Sequence, residues 1–161
     1  MSTRTRTFTW DDPLEMAAVI AEVSGLERMR LVIAGDLPAP PIARLMNIRL
    51  VEADEGLAVF EGVPEEYHYN PIGMVHGGFA ATILDSAMGC AVHTTLPARV
   101  AYTTLELKVN YLKPLKAETG SVRAVGSVIH AGRTTALAEG RLVSADGTLY
   151  AHATTTCLIF R

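Results

Sequence analysis

Hydrophobic and polar positions change period several times along this chain, and each change predicts an element. Asp11-Asp12-Pro13 is an acidic cap followed by a first-turn proline, and Leu14, Ala17, Ala18 and Ala21 then recur at helical spacing up to Gly25. A second short helical run ends at Leu37-Pro38-Ala39-Pro40-Pro41, because proline lacks an amide donor and restricts the residue before it. From Asn47 to Val63 the pattern reads strand, turn, strand about Asp54-Glu55-Gly56. Pro64 to Gly78 is polar and interrupted by Pro71, Gly73, Gly77 and Gly78, which predicts an ordered loop. Phe79 to Leu96 is apolar nearly all round, so the helix predicted there should be wrapped by the rest of the protein.

Four runs of period two follow. In the first, Leu105, Leu107, Val109 and Tyr111 are expected on one face and Thr104, Glu106, Lys108 and Asn110 on the other, with Lys113-Pro114 ending the strand. Ser121 to Ala131 and Arg133 to Val143 predict two strands about Gly132, and Asp146-Gly147 turns the chain into a last strand from Leu149 to Phe160. The layout is α+β: an antiparallel sheet that must curve to cover one long helix. Residues 1–43 are expected to form an N-terminal helical extension and linker, and residues 44–161 the main domain.

Composition narrows the function. The 161 residues suit one domain, and 49% hydrophobic against 19% charged, with mean hydropathy +0.24, makes the chain more apolar than most of its length. A small domain this apolar is expected to hide surface in a homo-oligomer. The net charge of −3 argues against a nucleic-acid partner. Cys90 and Cys157 form neither a metal-like pair nor a disulfide framework, so a reducing cytoplasm is expected. The first ten residues lack the apolar stretch of a signal peptide. Asp85 and His93 within the apolar helix argue against a membrane span, so no membrane partner is expected.

Candidate chemistry concentrates between Asn70 and Asp85. Gly77-Gly78 stands where a helix begins, and a helix N-terminus offers free amide donors that could stabilise an oxyanion; paired glycines also make simple tight turns. Asp85 is a carboxylate in an apolar helix, which is paired, protonated or functional, because an unpartnered charge there is costly. Gly77 and Asp85 lie eight residues apart, about 12 Å along a helix axis, so one carbonyl does not easily meet both from a single chain. If both act together, the second comes from an antiparallel helix of a neighbouring subunit.

Asn70, His76-Gly77-Gly78 and Asp85 match in order and spacing the PaaI-like branch of the hotdog-fold acyl-CoA thioesterases, which this segment resembles. The resemblance continues through Thr104 to Pro114, including Tyr111-Leu112-Lys113-Pro114, and through His130-Ala-Gly-Arg-Thr134, covering roughly residues 45 to 160. It implies a hotdog fold, a curved antiparallel sheet wrapped around a central long helix. It also implies hydrolysis of an acyl-CoA, aromatic or medium-chain, without a cofactor or metal, by a homodimer or dimer-of-dimers tetramer.

Carried onto this chain, the resemblance makes the Gly77 amide the oxyanion donor and Asp85 of the facing subunit the general base or nucleophile. Asn70 would position the water or the carboxylate, Thr104 (or Thr103, one residue out of register) would stand near the base, and His76 would orient the loop or serve structure alone. Gly78 joins the substrate site. Lys113 and Arg133 could reach the CoA phosphates or be plain surface charges, and Met74, Phe79 and Leu84 could line an acyl pocket or belong to the core.

Three other readings are weaker. A hydratase of this fold needs an Asp before Asn-Pro and a His soon after, where this chain has His68 and Gly73. Cys90 and His93 share a helix face but have no second pair to complete a metal site. A non-catalytic acyl-CoA binding or regulatory module would have no need of Asp85.

Overall fold

A computed structural model describes residues 2–15 and 21–161. The predicted first helix begins at residues 13–15, and its continuation at residues 16–20 falls outside the described residues. Helix α1 (Gly25–Ala34) is capped by the Ser24 side chain, which accepts from the Glu27 amide, and is closed by Gly35 at φ 85°. The proline cluster ends in a short helix that the sequence reading did not anticipate. Pro41 opens α2 (Pro41–Met46) at the position where a missing amide costs nothing, so the same residues that stop one helix start the next.

Six strands follow: β1 (Ile48–Asp54), β2 (Leu57–Gly62), β3 (Ala101–Tyr111), β4 (Val122–Ala131), β5 (Thr135–Ser144) and β6 (Leu149–Phe160). They form one antiparallel sheet in the order β1-β2-β4-β5-β6-β3, curved around helix α3 (Gly77–Thr94). This is the expected hotdog architecture. Ile83, Leu84, Ala87, Met88, Ala91 and Val92 of α3 are fully buried against it, so the helix that is apolar nearly all round is the axis of the core. Sheet and helix approach closely at Gly126 of β4, where a Cβ would lie 2.4 Å from the Ala87 carbonyl; only glycine lets the strand pass so near the helix backbone.

One face assignment is corrected. The pairing of β3 with β6 shifts between Thr104 and Glu106, so Leu105 is an extra, bulged residue that is 56% exposed. A bulge reverses the alternation, and Thr104 therefore shares the inner face with Leu107 and Val109 instead of opposing them. Strand β3 ends the sheet order, so its outer edge has no strand partner among the described residues.

Candidate active site

The loop before α3 is built from its own backbone. Tyr69 pairs with Val75 as an isolated bridge, and the Val75 amide donates to the Leu115 carbonyl at 3.0 Å. Asn70 closes the turn: its Oδ1 accepts the amides of Ile72 and Met74, each at 3.1 Å, which is the local geometry short polar side chains favour. Its carbonyl oxygen Oδ1 is therefore committed to the loop, while Nδ2 has no protein partner among the described residues.

His76 caps α3. Its Nδ1 accepts the Gly78 amide at 2.8 Å, so that nitrogen carries no proton and the ring hydrogen sits on Nε2. The amide of Gly78 is thus occupied. That of Gly77, one residue earlier, has no acceptor among the described residues and stands at the positive end of the helix. The two glycines of the motif have different tasks, and the donor left for a ligand is Gly77. Tyr111, at the far end of β3, fixes the same turn by donating its hydroxyl to the Gly77 carbonyl at 3.2 Å. Sequence reasoning placed Tyr111 on a face and in a motif but not in the site; the contact joins residues far apart in sequence, and only its place at the strand's end hinted at it.

A cleft of about 350 Å³ opens at this end of α3. Asn70, Met74, His76, Gly77, Tyr111 and Lys113 line it, which brings five of the predicted site residues together. Gly78 is not part of the lining, Phe79, 1% exposed, packs against His68, and the fully buried Leu84 belongs to the core. Arg133 lies elsewhere. It follows β4 near the Ala101 end of β3, with its carbonyl accepting from Arg161, whereas Lys113 follows the Tyr111 end, on the order of 30 Å away along the strand.

Asp85 is half-buried in the middle of α3 and does not line this cleft. Its Oδ1 accepts the Thr104 hydroxyl at 2.9 Å, a bond that the bulge at Leu105 makes possible by keeping Thr104 on the inner face. The register selects Thr104 over Thr103, which is exposed. One carboxylate oxygen is held and the other is left without a protein donor among the described residues. A positioned carboxylate with a free oxygen can take a proton from water or attack a carbonyl. Among the described residues no group of three or more His, Cys, Asp or Glu side chains could hold a metal, and Cys90 and His93 are wall residues of a second cavity.

The fold and these residues agree with known proteins. A family model described as "Thioesterase superfamily" matches residues 72–151, a stretch that holds Gly77, Asp85, Thr104 and Lys113. The chain is 30% identical to human acyl-coenzyme A thioesterase 13 over 127 residues, 78% of this chain and 89% of that one. A relative from Halobacterium salinarum is 42% identical over 84 residues, and the match spans 54% of its length. Among solved structures, a phenylacetic acid degradation-related protein from Ralstonia eutropha JMP134 superposes with TM-score 0.73 at 30% identity, covering 81% of this chain and 98% of that one. The E. coli PaaI protein shares the fold, with TM-score 0.74 at 19% identity over 86% of this chain and 97% of its own. This chain belongs to the thioesterase superfamily. Its reaction class is thioester hydrolysis. No described helix is long and apolar enough to cross a membrane.

Proposed function

We propose that the protein hydrolyses an acyl-CoA to the free acid and CoA in a site shared by two copies of the chain. The observation that carries this reading is the division of labour along α3. The Gly77 amide is unengaged at one end, and an Asp85 carboxylate with one oxygen held by Thr104 lies about 12 Å further along the axis. The thioester carbonyl oxygen accepts from Gly77 N–H of one subunit, which stabilises the charge that develops on it. Asp85 of the facing subunit takes the proton from the attacking water, the tetrahedral adduct collapses, and the C–S bond breaks with the proton passing to the departing thiolate. Direct attack by Asp85 through an anhydride is the alternative role for the same carboxylate.

Asn70 offers its free Nδ2 to the water or the carboxylate, and Thr104 keeps Asp85 in one orientation. His76 holds the turn through Gly78, with Met74 at the cleft wall. Lys113 supplies a cation at the cleft rim for the CoA phosphates, and Arg133 of a neighbouring subunit is a second candidate. The unpaired edge of β3, together with exposed Ile72, Tyr111 and Leu112 beside the cleft, supports a homodimer, itself able to pair into a tetramer. Residues 1–43 form an extension to the thioesterase domain at 44–161, and the setting is the cytoplasm.

Two inactive variants test the shared site. Gly77→Pro deletes the amide donor at the first helical position, where proline is favoured, and the preceding His76 already has φ −60° and ψ 138°, which proline requires. Asp85→Asn removes the base. Each alone should lose thiol release from acyl-CoA. Mixed in equal amounts and allowed to exchange subunits, they should recover about a quarter of native activity, since half the dimers carry one intact centre of two. No recovery despite verified exchange sinks the two-chain site.

A further inference from the structure

A second cavity, about 270 Å³, lies on the other side of Asp85, between α1, the proline segment and the C-terminal half of α3. Its walls are mostly apolar, including Met29, Val32, Leu37 and Phe60, and at about 30 Å³ per water-sized group it holds roughly nine such groups. Asp85 and Thr104 do not line it, but two elements bring it close to the proposed reaction centre. Cys90 and His93 follow Asp85 on α3, and Tyr102 precedes Thr104 by two residues on the inner face of β3. Asp85 is close enough that its charge contributes to holding the Cys90 thiol and the Tyr102 phenol in their protonated forms.

The polar groups in this cavity have one character. Burial keeps Cys90 a thiol, its pKa pushed up to about 12, and keeps Tyr102 a phenol. Burial also keeps His93 neutral, its pKa pushed down to about 4 with the Arg28 charge adding to the effect. A protonated thiol beside a weakly basic imidazole is no nucleophile pair. What remains is Arg28, a permanent cation with hydrogen-bond donors only. No acid lies within 4 Å of its guanidinium among the described residues, and residues 16–20 contain no ionisable side chain. Asp11, exposed at the mouth, is the one acid among the lining residues.

Arg28 is placed inward by the docking of α1. The Gly25 amide donates to the Leu96 carbonyl at 3.0 Å, and a Cβ at Gly25 would stand 1.8 Å from the His93 carbonyl, so α1 touches the end of α3 backbone to backbone. Arg28 and Met29, three and four residues on, share that inward face.

We propose that this cavity receives the acyl group, and that Arg28 selects acyl groups bearing an oxygen acceptor, foremost a carboxylate, at their far end. The inference rests on the acyl-CoA reading above and adds its substrate class: a medium-length acyl group with an apolar body and a polar tail. Among the described residues no acid lies within 4 Å of this guanidinium in a largely apolar cavity, and such a tail supplies a close counter-charge. Most of the residues lining the cavity lie before residue 72, outside the stretch matched by the family model.

The test compares acetyl-CoA, octanoyl-CoA and the mono-CoA thioester of octanedioic acid, by kcat/KM from thiol release. Wild type should prefer the octanedioyl substrate to octanoyl. Arg28→Gln should lower that ratio by about tenfold, the scale of one hydrogen bond to a charged group, and Arg28→Lys should retain part of it. Val32→Trp, which fills the cavity, should lower the octanoyl-to-acetyl ratio by a similar factor. Ratios that stay within twofold of wild type in Arg28→Gln overturn the role of Arg28, and the same result in Val32→Trp overturns the cavity. If wild type cleaves none of the three, the acyl-CoA reading fails. Calorimetry with the non-hydrolysable thioethers then decides the subsite alone: tighter binding of the carboxylated analogue, lost in Arg28→Gln, supports it, and equal binding of the two analogues ends it.

Discussion

The two cavities flanking Asp85 differ in what builds them. The cleft at Gly77 is made mainly by residues 70–77 and 111–115, with Ala80, Leu142, Tyr150 and Ala151 completing its wall, and its proposed donor is a backbone amide that any sequence forming this turn would present. The cavity at His93 is assembled from α1, the proline segment, the sheet face and the end of α3, and the group proposed to select the acyl tail is one side chain, Arg28. The contrast separates chemistry from selectivity. In the proposed site the carbonyl, a constant of every thioester, is met by main chain, and the acyl tail, which varies, is met by residues that can vary without disturbing the turn.

The largest break in this division is Asp85→Asn. It preserves shape and the Thr104 hydrogen bond's geometry while removing the proposed base, so kcat for acyl-CoA hydrolysis should fall about 10²–10⁴-fold with the fold retained. Thiol release and a thermal melt on the same preparation check it. Near-native turnover would remove Asp85 from the chemistry.

Next in size is a stability effect confined to the second region. His93 has a folded pKa of about 4, below the unfolded value near 6.5, because burial disfavours its cation. The unfolded chain therefore binds the extra proton first as pH falls. The His93 contribution is intact above about pH 6.5, is lost progressively between 6.5 and 4, and is fully lost below 4, for a total of about 3 kcal/mol. His93→Gln carries no such proton, so its unfolding free energy relative to wild type should improve by an amount of that order between pH 7 and pH 4. Urea midpoints at both values decide it; a constant difference would show that His93 is not buried as described.

Much of this was legible in the sequence, and the reason is distance along the chain. The strand-turn-strand at Asn47 to Val63, the last strand from Leu149 to Phe160 and the buried helix were readable because hydrophobic period and turn glycines act locally. Asn70, His76, Gly77 and Asp85 stood out as candidates because their spacing is itself the signal, and the cleft holds the first three of them. The face of Thr104 was not, since a bulge at Leu105 is a property of two paired strands and leaves no mark on one. Helix α2 was hidden by prolines that punctuate in either direction. Arg28 left no signal, because its inward direction depends on how α1 packs against the end of α3.

Thr104→Val sharpens the comparison at the level of one hydrogen bond. The hydroxyl holds an Asp85 oxygen at 2.9 Å, and a valine fills the same space without donating. A bond to a charged group is worth roughly 1.5–3 kcal/mol, so kcat should fall at least tenfold with KM nearly constant, and Thr104→Ser should restore most of it. A matching loss in Thr104→Ser would assign the residue to packing instead.

The smallest expected effect is also the cleanest probe of the first cavity. Tyr111→Phe keeps the ring in the cleft and deletes only the hydroxyl that donates to the Gly77 carbonyl at 3.2 Å. That oxygen belongs to the residue whose amide is the proposed oxyanion donor, so the bond restrains the donor's direction without touching substrate. The bond joins neutral groups and the residue is 57% exposed, which limits its worth to about 1 kcal/mol, or about fivefold in kcat. Because the ring remains, KM and the ranking of acyl groups should be conserved across the panel, whereas Arg28→Gln should reorder that ranking. A Tyr111→Phe variant that changes acyl preference would mean the two cavities communicate, and the separation of carbonyl from tail would then hold only in part.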